Sequence, residues 1–252
     1  MTSGYLRFAA LGDSTTVGVG DRIQGGGWRG WARLLAESLS ASYDVSFCNL
    51  AISGATTTVV REQQLAAAVT HRPDLASLVV GINDTLRSTW DPVRVRDDLF
   101  AIGGRLAAEG ATLVTLRFHD HGELLGLPGF LRRPLRQRID QVNAAYDDLH
   151  AAYGGVRLDL GGRAELTRRD CWSVDRFHPS EIGHRALAIA VAGALGEAGW
   201  DVVPPGAAPD GGMPRTWRSD AVWMLAEGAP WVGRRARDLG PWAVRRAVAA
   251  AR

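Results

Sequence analysis

The chain contains no lysine; all 29 of its basic residues are arginine. With so much alanine and glycine alongside, a compositional bias of the genome explains this better than a functional choice. The 27 acidic residues leave a formal net charge of +2, which argues against a general nucleic-acid binder. Cysteine is scarce. Cys48 and Cys171 are too few for a disulfide framework and lack metal-ligand spacing, so both read as reduced or buried small hydrophobes. Long apolar runs are missing as well. No stretch reaches the roughly 18 continuous apolar residues of a membrane span. Met1–Phe8 has neither the basic start nor the apolar run of a secretory signal, so the expected location is cytoplasmic.

What is present is an alternation of short apolar runs with longer helical patterns. Strands are expected at 6–11, 45–50, 75–80, 111–118 and 156–160. Helices are expected at 28–42, 58–70, 92–109, 134–152 and 179–196. The first of these places Trp31, Leu34, Leu35 and Leu39 on one face. The third has Pro92 in its first turn and Gly110 just past its end. This order implies an α/β fold, a parallel sheet with helices on both faces. In such sheets ligands bind beyond the carboxyl ends of the strands. The segment 201–214 holds four Pro and three Gly, and reads as a linker or an extended surface crossing between a domain at 1–200 and an extension at 215–252.

Chemistry is therefore sought at the strand ends. Gly12-Asp13-Ser14 follows the first strand, and a serine there becomes a nucleophile only if a base takes its proton. Gly54, after the second strand, has no side chain to block its N–H. Gly81-Ile82-Asn83-Asp84 follows the third, and the Asn83 amide is a fixed donor suited to a developing negative charge. Beyond the fifth lies Asp175-Arg176-Phe177-His178. A carboxylate three residues before an imidazole can hold Nδ1–H and leave Nε2 to face the serine. Singly, each group also reads as a turn or cap residue. Together they supply a nucleophile, a base, an orienting acid and oxyanion donors on one sheet edge.

In that order and spacing, the four blocks resemble the SGNH hydrolases, also called GDSL-like lipases and esterases, over roughly residues 5–198. The resemblance implies a flavodoxin-like three-layer α/β/α sandwich with five parallel strands in order 2-1-3-4-5. It implies Ser14 as nucleophile, His178 as base and Asp175 as its orienting acid. The Ser14 and Gly54 N–H groups and the Asn83 side chain would form the oxyanion hole, and no metal or cofactor would be needed. The substrate would be a small-molecule ester. Thr15 stands where the family often has Leu. The Gly-x-Ser-x-Gly pattern of α/β-hydrolases is absent, because Thr16 occupies its last position.

Other signals carry less. Gly25, Gly27 and Gly30 match a dinucleotide fingerprint literally but lie more than ten residues past the first strand. His119 and His121 flank Asp120 without a third ligand in view; a surface loop is the expectation, a place on the cleft wall the alternative. Glu123–Phe130 reads as an apolar loop at the site edge, able to hold an acyl chain or to pack on an aromatic such as Trp90. The tail from Met213 has Trp217, Trp223, Trp231 and Trp242, with eight Arg against three acids. It is expected to be helical and packed, with its arginines in water. Membrane or partner binding by this tail is the non-enzymatic alternative. Within enzymes, O-deacetylation of a sugar or natural product, or acyl transfer, is the alternative to a plain esterase. The sequence does not set acyl length, alcohol or oligomeric state.

Overall fold

Strand β1 (Gly4–Gly12) is apolar without alternation from Phe8 to Leu11, and all four residues there are fully buried. That is the pattern of a strand covered on both faces. In the computed structural model, which describes residues 4–210 with Gly212, Thr216, Arg218 and Ala221, β1 lies between β2 (Tyr43–Asn49) and β3 (Leu75–Val79). Strands β4 (Thr112–Arg117) and β5 (Val156–Asp159) complete a parallel sheet in the order β2-β1-β3-β4-β5. The expected order is thus the observed one. The central β3 is buried at every residue. The edge strand β5 alternates, with Val156 and Leu158 inward and Arg157 and Asp159 outward. The tail tryptophans Trp217, Trp223, Trp231 and Trp242, and the helical extension expected around them, lie outside the described residues.

The helices are α1 (Ser14–Val17), α2 (Gly30–Leu39), α3 (Thr57–Val59), α4 (Leu65–His71), α5 (Ile82–Thr85), α6 (Pro92–Ala108), α7 (His121–Leu124), α8 (Gly129–Tyr153), α9 (Ala164–Thr167) and α10 (Glu181–Glu197). α2 packs on α10, and α6 packs on α8. Trp31, Leu34, Leu35 and Leu39 of α2 are all buried, as their spacing requires. Asp91 caps α6 by accepting from the Val93 and Arg94 N–H groups, with Pro92 at its first position.

Two expected helices differ. The one expected at 58–70 is interrupted by a π-turn, Val60–Gln64, which joins α3 to α4. The one expected to open at Pro134 opens at Gly129 instead, and Pro134 lies inside α8. A proline near a helix start loses only the bond to the residue four before it. Here that residue is the exposed Phe130. The expected apolar loop 123–130 is accordingly the end of α7, a short turn and the start of α8. Leu125 and Leu127 pack on the core.

Candidate active site

The chain runs from β1 outward to β2 and then crosses back to β3, and Ser14, Gly54 and Asn83 follow β1, β2 and β3 in turn. That crossing opens a crevice at the carboxyl edge. Ser14 opens α1 directly after β1 and is 3% exposed. Asp13 caps α1, accepting from the Thr15 N–H at 3.0 Å. The loop after α1 meets the start of α2 where Gly18 and Gly30 touch. A Cβ on Gly30 would lie 2.3 Å from the Gly18 Cα, and both residues have positive φ. Gly30 therefore serves packing beneath the serine loop, while a Cβ on Gly25 or Gly27 would meet open space.

The backbone at three strand ends is held by side chains from the far helices. Gln64, in the π-turn, accepts from the Gly12 N–H and donates to the Gly12 carbonyl, both at 2.9 Å. Tyr146 of α8 does the same for Val80 through its hydroxyl, at 3.1 and 2.9 Å. Asn143 does so for Phe118, at 2.8 and 2.9 Å. Each satisfies a donor and an acceptor where the sheet ladder stops. These brackets fix the points from which Ser14, Asn83 and the His119–His121 segment depart.

Asp175 and His178 lie in a loop closed by the Ser173 N–H on the His178 carbonyl at 2.8 Å. Arg176 adopts φ +55°, an uncommon conformation for a non-glycine, and folds the loop back on itself. The Asp175 Oδ1 then accepts from the Phe177 and His178 N–H groups, at 2.9 and 3.1 Å. Its Oδ2 lies 2.7 Å from the His178 Nδ1. On the other side of the ring, Nε2 lies 3.0 Å from the Ser14 Oγ. Burial alone would raise the Asp175 pKa. The bond and charge of His178, with the two N–H groups, outweigh it and hold the carboxyl below its usual value. The structure thus brings Ser14, His178 and Asp175 into one continuous hydrogen-bonded line.

Asn83, in α5 after β3, is buried, and its Nδ2 donates to the Asp13 Oδ2 at 3.1 Å. Burial pushes the Asp13 carboxyl up to about 6, against the bonds from Thr15 and Asn83 and the nearby His178. Gly54 has φ +78° in the turn after β2, with open space where a side chain would begin. That turn is tied to α5 by Asp84, which accepts from the Thr57 N–H at 3.1 Å and from its hydroxyl at 3.0 Å. Burial pushes Asp84 up to about 7.

Beside these residues is a mostly apolar pocket of about 610 Å³, counting its open mouth. Asp13 and Thr15, the sequence neighbours of Ser14, and Phe177 and Pro179, those of His178, line it, although Ser14 and His178 themselves do not. His119, His121 and Trp172 line it as well. The expected surface-loop position for the two histidines is incorrect. They are 6% and 7% exposed, because the turn after β4 folds under the Asp175–His178 loop. Cys171 also lines this pocket, and both cysteines are free thiols. Phe130, the last residue of the apolar segment that was open to holding an acyl chain or packing on an aromatic, is exposed. Among the described residues, no cluster of three or more His, Cys, Asp or Glu could hold a metal ion, and no helix is long and apolar enough to cross a membrane.

The linear reading missed Gln64, Tyr146, Asn143 and the Asp84–Thr57 tie. Asp84 stood inside a motif, and its low exposure was the missing signal. The bracket residues have no local signal, since each acts on backbone far away in the chain.

A parallel three-layer sandwich in this strand order, with these four blocks on its carboxyl edge, is the SGNH hydrolase fold. The model of the GDSL-like lipase/acylhydrolase family matches residues 10–186, and the chain belongs to that family of ester-hydrolysing enzymes. Among solved structures it is similar to a putative GDSL-like lipase from Parabacteroides merdae, with TM-score 0.63, 17% identity, and 78% of this chain and 98% of that one covered. It is similar also to Axe2, an acetylxylan esterase from Geobacillus stearothermophilus, with TM-score 0.59, 20% identity, and 78% and 97% covered. Two further Axe2 structures are catalytic mutants, one at an aspartate and one at a histidine three positions later. A psychrotrophic esterase, EstA from Pseudoalteromonas sp., inhibited by monoethylphosphonate, has TM-score 0.60 and 15% identity, with 76% and 97% covered. No curated protein sequence matches the chain.

Proposed function

We propose that this enzyme is a serine esterase that cleaves carboxylic esters through an acyl-enzyme, with the work done inside residues 1–200. The observation that carries this reading is the line Ser14 Oγ, His178 Nε2, His178 Nδ1, Asp175 Oδ2, with contacts of 3.0 and 2.7 Å at its two ends. Ser14 attacks the ester carbonyl as His178 takes its proton. Asp175 keeps Nδ1 protonated, so that Nε2 is the basic nitrogen, and stabilises the imidazolium that forms. The Ser14 N–H, the Gly54 N–H and the Asn83 amide hold the oxyanion. His178 next gives its proton to the leaving alcohol and then activates water to release the acid. The Asp–His spacing of the Axe2 catalytic mutants, the same as that of Asp175 and His178, supports the assignment.

Asp13 is assigned a positioning role. It accepts one bond from the Asn83 amide and one from the Thr15 N–H, so nucleophile loop and oxyanion donor share a single anchor. The likeness to an acetylxylan esterase favours, as a second reading, O-deacetylation of a carbohydrate. A panel of esters of increasing acyl length, with an acetylated sugar included and Ser14→Ala as control, separates the two. A fluorophosphonate probe is expected to label Ser14 alone, as located by mass spectrometry of the adduct. An adduct on another serine, with Ser14 unmodified, overturns the assignment.

A further inference from the structure

His119 ends the turn after β4 with its ring in the wall of the pocket beside Ser14. It is 6% exposed, and among the described residues neither its Nδ1 nor its Nε2 has a hydrogen-bond partner. Its ring stacks on His121 at 4.1 Å between centroids and 12° between planes, and meets the edge of Trp172 at 4.9 Å. His121 differs, because its Nδ1 lies 3.1 Å from the His119 carbonyl and so has an acceptor. Burial pushes the pKa of both rings down, which makes His119 a neutral imidazole with one N–H donor and one bare nitrogen. A buried polar side chain left without partners costs stability, and such a group calls for an explanation. Nothing in the triad or the oxyanion donors uses it. The pocket it faces is otherwise mostly apolar and is bounded by the residues flanking both nucleophile and base.

We propose that this pocket receives the acyl group of the ester, and that His119 selects acyl groups carrying a hydroxyl over plain alkyl groups of the same length. The proposal rests on the esterase reading above. A hydroxyl is the matching chemistry, because it can accept from the imidazole N–H or donate to the bare nitrogen, while the alkyl part fills the apolar wall. A charged acyl group is disfavoured, because the neighbouring ring is the equally neutral His121 and Asp13 lines the same pocket. Selection of this kind is steep in one direction only. A site built to bond a hydroxyl rejects the analogue lacking it, since its own polar group then stays unpaired.

The test compares kcat/KM for the phenyl esters of butyrate, 2-hydroxybutyrate and 3-hydroxybutyrate, each divided by its hydroxide-catalysed rate, with phenyl acetate as a reference for the triad. At least one hydroxy ester is expected to exceed butyrate by about tenfold or more in the wild type. His119→Leu is expected to bring that ratio to within about twofold, and His119→Gln, which keeps a donor and an acceptor, to retain part of it. His119→Leu is also expected to melt no lower than the wild type, because it removes a buried unpaired group. A wild-type ratio within about twofold for both hydroxy esters, with phenyl acetate cleaved, overturns this proposal alone. So does a ratio that is the same in the leucine variant as in the wild type. Failure to cleave even phenyl acetate overturns the esterase reading, and this inference with it.

Discussion

Asn83 donates to a carboxylate in the resting site and, in the mechanism proposed, to an oxyanion during reaction. Its contribution is therefore expected in the transition state. Asn83→Ala should lower kcat by on the order of 10²–10³ with little change in KM, as steady-state kinetics on one ester would show. A second consequence concerns Asp84. Burial raises its pKa from 3.8 to about 7 in the fold. A carboxyl raised in this way contributes stability that is fully present below its unfolded pKa. That contribution is lost as pH climbs through the folded value. The wild type should thus lose stability from Asp84 between about pH 4 and 7, with Asp13, raised to about 6, acting in the same direction, while Asp175, whose pKa is lowered, acts only below 3.8. Asp84→Asn should show a flatter Tm profile over that window. An unchanged slope would mean that Asp84 ionises there at no cost to the fold.

The elements around the site are aligned by side chains that finish the sheet. Gln64 occupies a π-turn, a local widening of the helix frequently found at functional sites. From there it brackets Gly12, two residues before Ser14. Gln64→Leu keeps the volume roughly but leaves the buried Gly12 N–H unpaired, while the Gly12 carbonyl keeps the Ile52 N–H at 3.2 Å. A loss of about 1–3 kcal/mol is expected from urea denaturation. Turnover should fall too, because the Ser14 turn loses its anchor at the strand end. Apolar period and glycine punctuation exposed all five strands and the main helices to a linear reading, with ends shifted by a few residues. The π-turn and the early start of α8 were hidden. In both places a local rule, continuous helix or proline at the first turn, gave way to what the far side of the sheet required.

Across the whole molecule, an ion cluster joins the serine loop to the chain beyond α10. Arg29, buried before α2, contacts Asp21 and Glu181 at 2.9 Å, and Asp210 also at 2.9 Å. Arg185 of α10, likewise buried, bonds the Gly206 carbonyl and the Asp210 carboxylate. The stretch 201–210 is accordingly an extended strap across the surface, held down by two arginines. The partners differ in depth: Asp21 is fully buried, and the Asp210 side chain is 73% exposed. Asp21→Ala should cost about 3–5 kcal/mol, because it strips a partner from a buried charge. Asp210→Ala should cost less, because the Gly206 carbonyl still accepts from Arg185, and Asp21 and Glu181 still hold Arg29. Equal losses in chemical denaturation would refute this ranking by burial. His184 reinforces the same junction: its Nδ1 accepts from the Trp31 N–H at 3.3 Å and its Nε2 lies 3.0 Å from the Val19 carbonyl.

Ser14, Gly54 and Asn83 were expected where short apolar runs end, and the structure places them after β1, β2 and β3; Asp175 and His178 follow β5 only after a longer connection. Strand ends are set by local pattern, and the parallel topology gathers them on one edge. The spacing of Asp175 and His178 even carried their contact, since a short loop keeps both groups within reach of each other. Packing across the sheet was not legible. That Gln64 would meet Gly12, that Thr57 would meet Asp84, and that His119 would turn inward with both nitrogens unpaired depend on distances between segments tens of residues apart. Such contacts are chosen by the way helices fill the two faces of the sheet, and no periodicity within a single segment encodes which distant partner a polar side chain will find.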